Sequence, residues 1–330
     1  MKISPRLKRR VKRALLISII LFSLLFISLA YFFIVNEAPI LQGEVEYHIP
    51  YKKDQNLDIY LPIVDKHEKR PVIIYFHGGA WISGRKEAIN VNRYNDAINQ
   101  LRRSGYAIIT PEYTLADQNT SPFPDCLLDA SDALAWVVDH ADEYNLDIQN
   151  VGVFGESAGA HIAMMAAFDN QHTFNLPQPK PRINYVIDIY GPAEMESLYH
   201  SQTYDSIKTL LNKVPEPIAN NLDFTLDIFG FDPMADTART KEFMQRYSPI
   251  RYLHDSIPPL LIIHGTIDKI VPLDQSQQLK KSLDSLQLQN EYHELSDMGH
   301  AFRNATDAQK DSTQKWIVDF IKRNYQEHKN

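Results

Sequence analysis

Ser157, Asp268 and His300 are the residues whose types and order could carry covalent chemistry. A serine hydroxyl is a weak nucleophile until a histidine takes its proton, and the histidine works best when an acid orients its ring. Ser157 stands in Gly155-Glu156-Ser157-Ala158-Gly159, after the apolar run Val151–Phe154 and before a stretch rich in Ala, Met and Ile. G-x-S-x-G between a strand and a helix is the setting in which the pattern means a nucleophile elbow. The glycines two residues either side leave room where a Cβ would collide with the strand or the helix. Downstream, Leu261-Ile262-Ile263-His264-Gly265-Thr266-Ile267-Asp268 puts an acid just past a strand, and Asp297-Met298-Gly299-His300 puts a histidine after the last one. Serine, acid, histidine is the chain order that accompanies such a strand–helix elbow. Asp274 is the competing acid, but it follows Val271-Pro272-Leu273 at a helix start, where Asp serves as an N-cap.

Acyl transfer also needs donors for a developing oxyanion. His77-Gly78-Gly79-Ala80-Trp81 follows the buried-strand run Pro71–Phe76, and glycines there let backbone N–H groups converge without side chains in the way. The donors assigned are the N–H groups of Gly78 and Gly79, joined by that of Ala158 after the nucleophile; Trp81 is assigned to the substrate side. The remaining histidines receive structural roles. His77 positions its loop, His161 packs or hydrogen-bonds on the elbow helix, His264 braces the acid loop, and His293 lies within a strand.

These residues need a scaffold that delivers several strand ends to one edge. The chain reads as an opening hairpin (Val45–Ile49, Leu57–Leu61), followed by strands at Pro71–Phe76, Tyr106–Thr110, the elbow strand, Tyr185–Gly191, Pro259–His264 and Asn290–Leu295. Helix-patterned stretches at Arg93–Ser104, Asp125–Tyr144, Leu273–Leu286 and Asp307–Asn324 alternate with them, which indicates an α/β fold with a mostly parallel sheet. Asp147–Asn150 reads as a turn into the elbow strand. Between about 194 and 247 the rhythm breaks into polar, aromatic, Pro-interrupted sequence, with helical pieces at Tyr204–Leu211 and Thr240–Arg246, read as a small lid-like insertion over the site.

With 330 residues and 44% hydrophobic content the chain can bury a large core, which excludes a disordered or fibrous class. A net charge of −7, with no basic stripe beyond the first thirteen positions, argues against nucleic-acid binding. The single cysteine, Cys126, excludes an intrachain disulfide and any multi-Cys metal site, and reads as buried filler. Lys8, Arg9, Arg10, Lys12 and Arg13 precede an uncharged apolar run from Ala14 to Val35, long enough to span a bilayer as a helix. Residues 1–13 are therefore expected in the cytoplasm and 14–35 as a signal anchor. Residues 36–43 follow as a linker, and 44–330 form the catalytic domain on the extracytoplasmic side. A cleaved signal peptide ending near Ala30 is the alternative, giving a secreted domain.

The order of motifs resembles the α/β-hydrolase superfamily, in the serine esterase/lipase group of feruloyl- or acetyl-esterase-like and hormone-sensitive-lipase-like carboxylesterases. The likeness rests on Leu57-Asp58-Ile59-Tyr60-Leu61-Pro62, the stretch from His77 to Lys86, Phe123-Pro124 and the elbow. It continues through Tyr247-Ser248-Pro249-Ile250, His264–Asp268, Val271-Pro272 and Gly299-His300, covering the chain from about Glu44 onward. It implies an α/β-hydrolase fold with helices on both faces of the sheet, and hydrolysis of a small-molecule carboxylic ester without cofactor or metal. Two departures bear on substrate choice. Tyr113-Thr114-Leu115 stands where Tyr-Arg-Leu is frequent, and Glu156 with Gly159-Ala160 flanks the serine where hormone-sensitive-lipase-like members carry Asp and Gly-Gly. An amidase or peptidase of the same fold, and an inactive hydrolase-fold binding module, are the rival readings. Oligomeric state is not legible.

Overall fold

The computed structural model describes residues 5–35, 43–90, 94–117, 120–168, 181–201 and 224–327. Helix α1 (Pro5–Val35) comes first; its described side chains, 12–28, are exposed. Among the described residues no helix is long and apolar enough to cross a membrane, so the anchor expected at 14–35 finds no support there. Most of the expected linker and the expected helix at Tyr204–Leu211 lie outside the described residues.

From Val45 the chain builds one eight-stranded sheet. Its strands are β1 (Val45–Lys52), β2 (Gln55–Tyr60), β3 (Arg70–Phe76), β4 (Ala107–Pro111), β5 (Leu146–Glu156), β6 (Ile183–Ile189), β7 (Leu260–Gly265) and β8 (Asn290–Leu295). The spatial order is β1-β2-β4-β3-β5-β6-β7-β8; β1 and β2 join antiparallel, and every pairing from β4 through β3 to β8 is parallel. Alternation along β3 divides the core in two. Val72, Ile74 and Phe76 face one cluster, Ile73 and Tyr75 the other. Helices α3 (Asp125–Asp139) and α4 (Ala158–Phe168) pack into the first cluster, whereas α2 (Asn95–Arg103) packs into the second. Near the site come α5 (Met195–Tyr199), α6 (Phe224–Phe229) and α7 (Thr237–Arg246). Two longer helices close the chain, α8 (Asp274–Ser285) on the first face and α9 (Asp307–Arg323) on the second. Burying both faces explains why the inner strands read as continuous apolar runs.

Two boundaries differ most from the sequence expectation. Helix α3 stops at Asp139, five residues short of Tyr144. Asp147–Asn150 lies inside β5: Pro71 pairs with Asp147 and Val72 with Val151, so the intervening residues bulge out of the ladder. The bulge is closed by its own side chains, with Asn150 Nδ2 donating to Asp147 Oδ2 at 2.7 Å, which is why it reads as a turn.

The strand order reverses between β4 and β5, around β3, and open α/β sheets gather ligands at such a switch point, outside the carboxyl ends. Phe76 pairs with Gly155, Glu156 with Ile189 and Gly265 with Leu295. The glycine loop, the serine turn, the acid loop and the histidine loop therefore leave the same edge.

Candidate active site

Ser157 occupies the one-residue turn between β5 and α4 with φ of 53°, a left-handed conformation that costs a non-glycine residue energy and marks a constrained position. Its N–H donates to Ile189 O at 2.9 Å, pinning the turn to β6. Close packing explains the flanking glycines. A Cβ on Gly155 would stand 2.2 Å from Gly159 O, and one on Gly159 would stand 2.1 Å from Phe76 O. The turn closes only with hydrogen at both positions.

The structure brings Ser157, His300 and Asp268 together. Ser157 Oγ donates to His300 Nε2 at 3.0 Å, and His300 Nδ1 donates to Asp268 Oδ2 at 2.7 Å, roles assigned from the surrounding donors and acceptors. Asp268 Oδ1 accepts from the N–H groups of Ile270 (2.8 Å) and Val271 (3.0 Å). Burial alone would raise the Asp268 carboxyl, but hydrogen bonds from His264 and His300 outweigh it and hold the group well below the usual carboxylate range. The His300 contact is the stronger of the two by geometry, since His264 Nε2 lies 3.5 Å from Oδ2. His264 instead donates to Val271 O at 2.8 Å and accepts from Ser276 Oγ at 2.7 Å, so it braces the acid loop. Asp274 lies apart. It is exposed at the first position of α8 and accepts from Gln278 at 3.2 Å. It does not cap that helix as expected, because the boundary residue is Leu273.

The glycine loop lies against the serine. A Cβ built on Gly78 would stand 3.4 Å from Ser157 Cβ. Gly79 directs its carbonyl back into the loop, accepting from Ile82 and Ser83 N–H at 3.2 and 3.0 Å. Ala80 and Trp81 follow with φ of 55° and 59°. His77 donates through Nδ1 to Gly78 O at 2.8 Å and stacks on Tyr113 at 4.3 Å, and Tyr113 in turn donates to His77 O at 2.7 Å. At the far end, Lys86 is buried between Asp58 (3.3 Å) and Glu87 (2.6 Å). Ala158 opens α4, where the first N–H groups have no intrahelical partner and the helix dipole is positive.

Beside Ser157 lies a cavity of about 670 Å³, counting the space that opens to solvent. Its lining includes Ala80, Trp81 and Ala158 beside the serine, Met195, Leu198 and Tyr199 of α5, Ile228 and Phe229 of α6, and Ile270 and Val271 after the acid. No charged side chain of the described residues lines it. Trp81 is nearly fully buried, wedged edge-on against His161 (5.2 Å) and near Phe123 (5.7 Å). His161 donates through Nε2 to Tyr247 O at 2.7 Å, and burial holds its pKa down at about 4. Sequence reasoning missed Ala80, which walls the cavity although Gly78 and Gly79 do not. It also missed Tyr190, whose ring packs 4.7 Å from that of His300. The available signal was position, since Tyr190 directly follows β6 at the edge where Ser157 directly follows β5.

Relatives share this arrangement of elements. A truncated carbohydrate esterase from gut microbiota superposes with a TM-score of 0.66 at 21% identity, over 85% of this chain and 97% of that one. The hyperthermophilic esterase of the archaeon Pyrobaculum calidifontis does so with 0.63 at 19% identity, over 97% and 99%. In sequence, the chain is 26% identical over 267 residues to LipM, a probable carboxylic ester hydrolase of Mycobacterium tuberculosis, covering 79% of this chain and 56% of LipM. An esterase of Gibberella moniliformis is 28% identical over 246 residues, 73% of this chain and 69% of that one. The chain spans about half the length of LipM and of the mycobacterial esterase LipC. The BD-FAE family model matches residues 57–283. That match takes in strands β3 to β7, the serine turn and the acid loop, and the chain belongs to the BD-FAE family, among the α/β-hydrolase carboxylesterases.

Proposed function

We propose that this chain hydrolyses a carboxylic ester by serine catalysis through an acyl-enzyme. The observation that carries the reading is the continuous relay from Ser157 Oγ through His300 to Asp268, at 3.0 and 2.7 Å, opening onto the apolar cavity. His300 Nε2 takes the hydroxyl proton as Oγ bonds to the acyl carbon. The carbonyl oxygen becomes an oxyanion held by the N–H groups of Gly78, Gly79 and Ala158. Collapse of this intermediate breaks the bond to the alcohol, which leaves with the proton from His300. Water then attacks the acyl-enzyme with His300 again as base, releasing the acid and restoring Ser157. Asp268, kept ionised, orients the ring and stabilises the imidazolium.

An apolar pocket without charged lining suits the acyl part of an acetyl, short-chain or aryl ester, with Trp81 against it. The relatives' names as esterases support the same class. In the proposed layout residues 1–13 face the cytoplasm, 14–35 anchor, 36–43 link, and the 44–330 domain works on the extracytoplasmic side with the 194–247 stretch over its site. Cleavage near Ala30 would release the domain instead.

Ser157→Ala tests the mechanism. Turnover of p-nitrophenyl acetate should fall at least about 10,000-fold with the thermal transition unchanged, and a fluorophosphonate should no longer label the protein. Retained turnover would eliminate Ser157 as nucleophile. Failure of the wild-type chain to take the label would favour an inactive binding module, and faster cleavage of anilides than esters would favour the amidase reading.

A further inference from the structure

The residue inside the elbow motif is itself caged. Glu156 Oε1 accepts from the Tyr75 hydroxyl at 2.5 Å, and Oε2 accepts from Tyr94 at 2.8 Å and Tyr190 at 2.7 Å. The Tyr94 and Tyr190 hydroxyls lie 3.1 Å apart. All three tyrosines are fully buried or nearly so, and they arrive from β3, from the segment before α2 and from the end of β6. Three O–H donors converging on two oxygens match a carboxylate, which only accepts. Glu156 is half-buried, and replacing a carboxylate with its donors by apolar side chains of the same volume is often neutral or stabilising, so fold stability alone is a weak reason for the cage.

The cage supports the histidine loop. Tyr190 lays its ring 4.7 Å from that of His300, tilted by 55°. Phe302, two residues on, packs edge-on against both Tyr94 (5.6 Å) and Tyr190 (5.8 Å). Ala301 and Phe302 both hold positive φ, 54° and 58°, a strained pair that persists only when surrounding packing fixes it. Glu156 also bounds the glycine loop, since a Cβ on Gly78 would stand 3.2 Å from Glu156 Cγ. One carboxylate thus ties together the loops that carry the nucleophile, the oxyanion donors and the base.

We propose that Glu156 is a positioning residue of the triad, holding Tyr190 against the His300 ring and adding a second, half-buried anion on the Tyr190 side of the imidazolium formed during catalysis. The inference rests on the serine-hydrolase reading above. The charged and titratable groups on His300 and the elements packed against it are Asp268 on Nδ1 with His264 behind it, Tyr190 and Asp188 at the end of β6, Glu156 at the end of β5, and Asp297 and Arg303 on its own loop. Asp268 orients Nδ1 directly, while Glu156 acts through Tyr190.

The test measures the rate of fluorophosphonate labelling of the full-length protein against pH, whose acid limb follows loss of the neutral histidine. In Glu156→Gln the limb should move down by about half to one pH unit, since an anion favouring the cation is gone, and the plateau should fall about 5- to 10-fold. Tyr190→Phe keeps the ring and removes the tie, and should move both quantities the same way by a smaller amount. It carries the test if Glu156→Gln fails to fold. Wild-type limbs and plateaus in the folded variants would overturn the inference. So would slower labelling with an unmoved limb and a lowered thermal transition, the mark of a purely structural cage. Absence of label on wild-type Ser157 would instead overturn the hydrolase reading, and this inference with it.

Discussion

Asp268 makes more contacts than charge alone requires: His300 on one oxygen, two backbone N–H groups on the other, and His264 close by. Those bonds fix its orientation, so its value to the site is to hold one tautomer of His300. Asp268→Asn preserves the shape and should still lower kcat by about 10,000-fold by favouring the wrong tautomer. Steady-state kinetics checks this, and a loss below tenfold would mean the acid comes from elsewhere. Asp188 is the opposite case. It is fully buried, with Oδ1 accepting from Gly191 N–H at 2.7 Å and Oδ2 unpartnered. Burial raises its pKa to about 7, against the opposing pull of the Gly191 bond and of His264. A carboxyl whose folded value is raised contributes its stability at low pH and loses it as pH climbs through that value. Between roughly pH 4, where an unfolded Asp titrates, and about 7, this group should cost up to ~1.4 kcal/mol of stability per pH unit. Urea midpoints of wild type and Asp188→Asn should therefore diverge with rising pH over that window. A constant difference would show that Asp188 is already ionised throughout it.

The elements that deliver these residues were legible to different degrees, and the reason is range. The serine turn, the glycine loop and the loops that follow the strands before Asp268 and His300 are each set by local backbone demands, so Gly155, Gly159 and the strand-ending runs mark them in sequence. The inner strands were legible because burial on both faces leaves continuous apolar runs. Tyr190, Ala80 and the Glu156 cage were not, since their neighbours come from strands and loops far apart in the chain. Thr114 shows the same limit. Where the resemblance leads one to expect arginine, Thr114 donates to Asp129 through N–H (2.7 Å) and hydroxyl (2.6 Å), while the cation beside Asp129 is Lys52 of β1 at 2.8 Å. The cavity cover belongs with these long-range features. Phe229 of α6 closes the acyl cavity on one side and lines a neighbouring cleft with Phe231, Phe243 and Arg239 on the other. Each methylene buried there contributes about 0.8 kcal/mol, or roughly fourfold in kcat/KM, until the chain meets this wall. Phe229→Ala should join the two spaces and move the preferred p-nitrophenyl ester to a longer acyl chain, at some cost in stability. An unchanged chain-length profile would place the limiting wall elsewhere.

At the scale of the whole molecule, the chain is electrically and chemically lopsided. Its net charge is −7, yet seven basic residues and no acidic one fall within the first thirteen positions. Directly after them, Ala14–Val35 holds sixteen Leu, Ile, Phe or Val residues and no charge. At about −0.3 to −0.6 kcal/mol for each such residue near a bilayer centre, insertion of such a run as a helix would be favourable by several kcal/mol even after the serines are counted, which is the ground for the proposed anchor. Basic residues ahead of the span resist translocation, which sets the proposed orientation with the remaining chain across the membrane. The eight residues 36–43 reach at most about 29 Å when extended, so the site would stay close to the bilayer surface. Full-length protein should then remain in the carbonate-washed membrane pellet, and a tag after Asn330 should be open to protease from the extracytoplasmic side in intact cells. Replacing Lys8, Arg9, Arg10, Lys12 and Arg13 by Glu should reduce the fraction of correctly oriented chain, read as lost tag accessibility at equal expression. Full-length protein in the carbonate supernatant would refute the anchor. A mature protein beginning near Tyr31 would show that the same apolar run is a signal peptide, with Ser157 released to act away from the membrane.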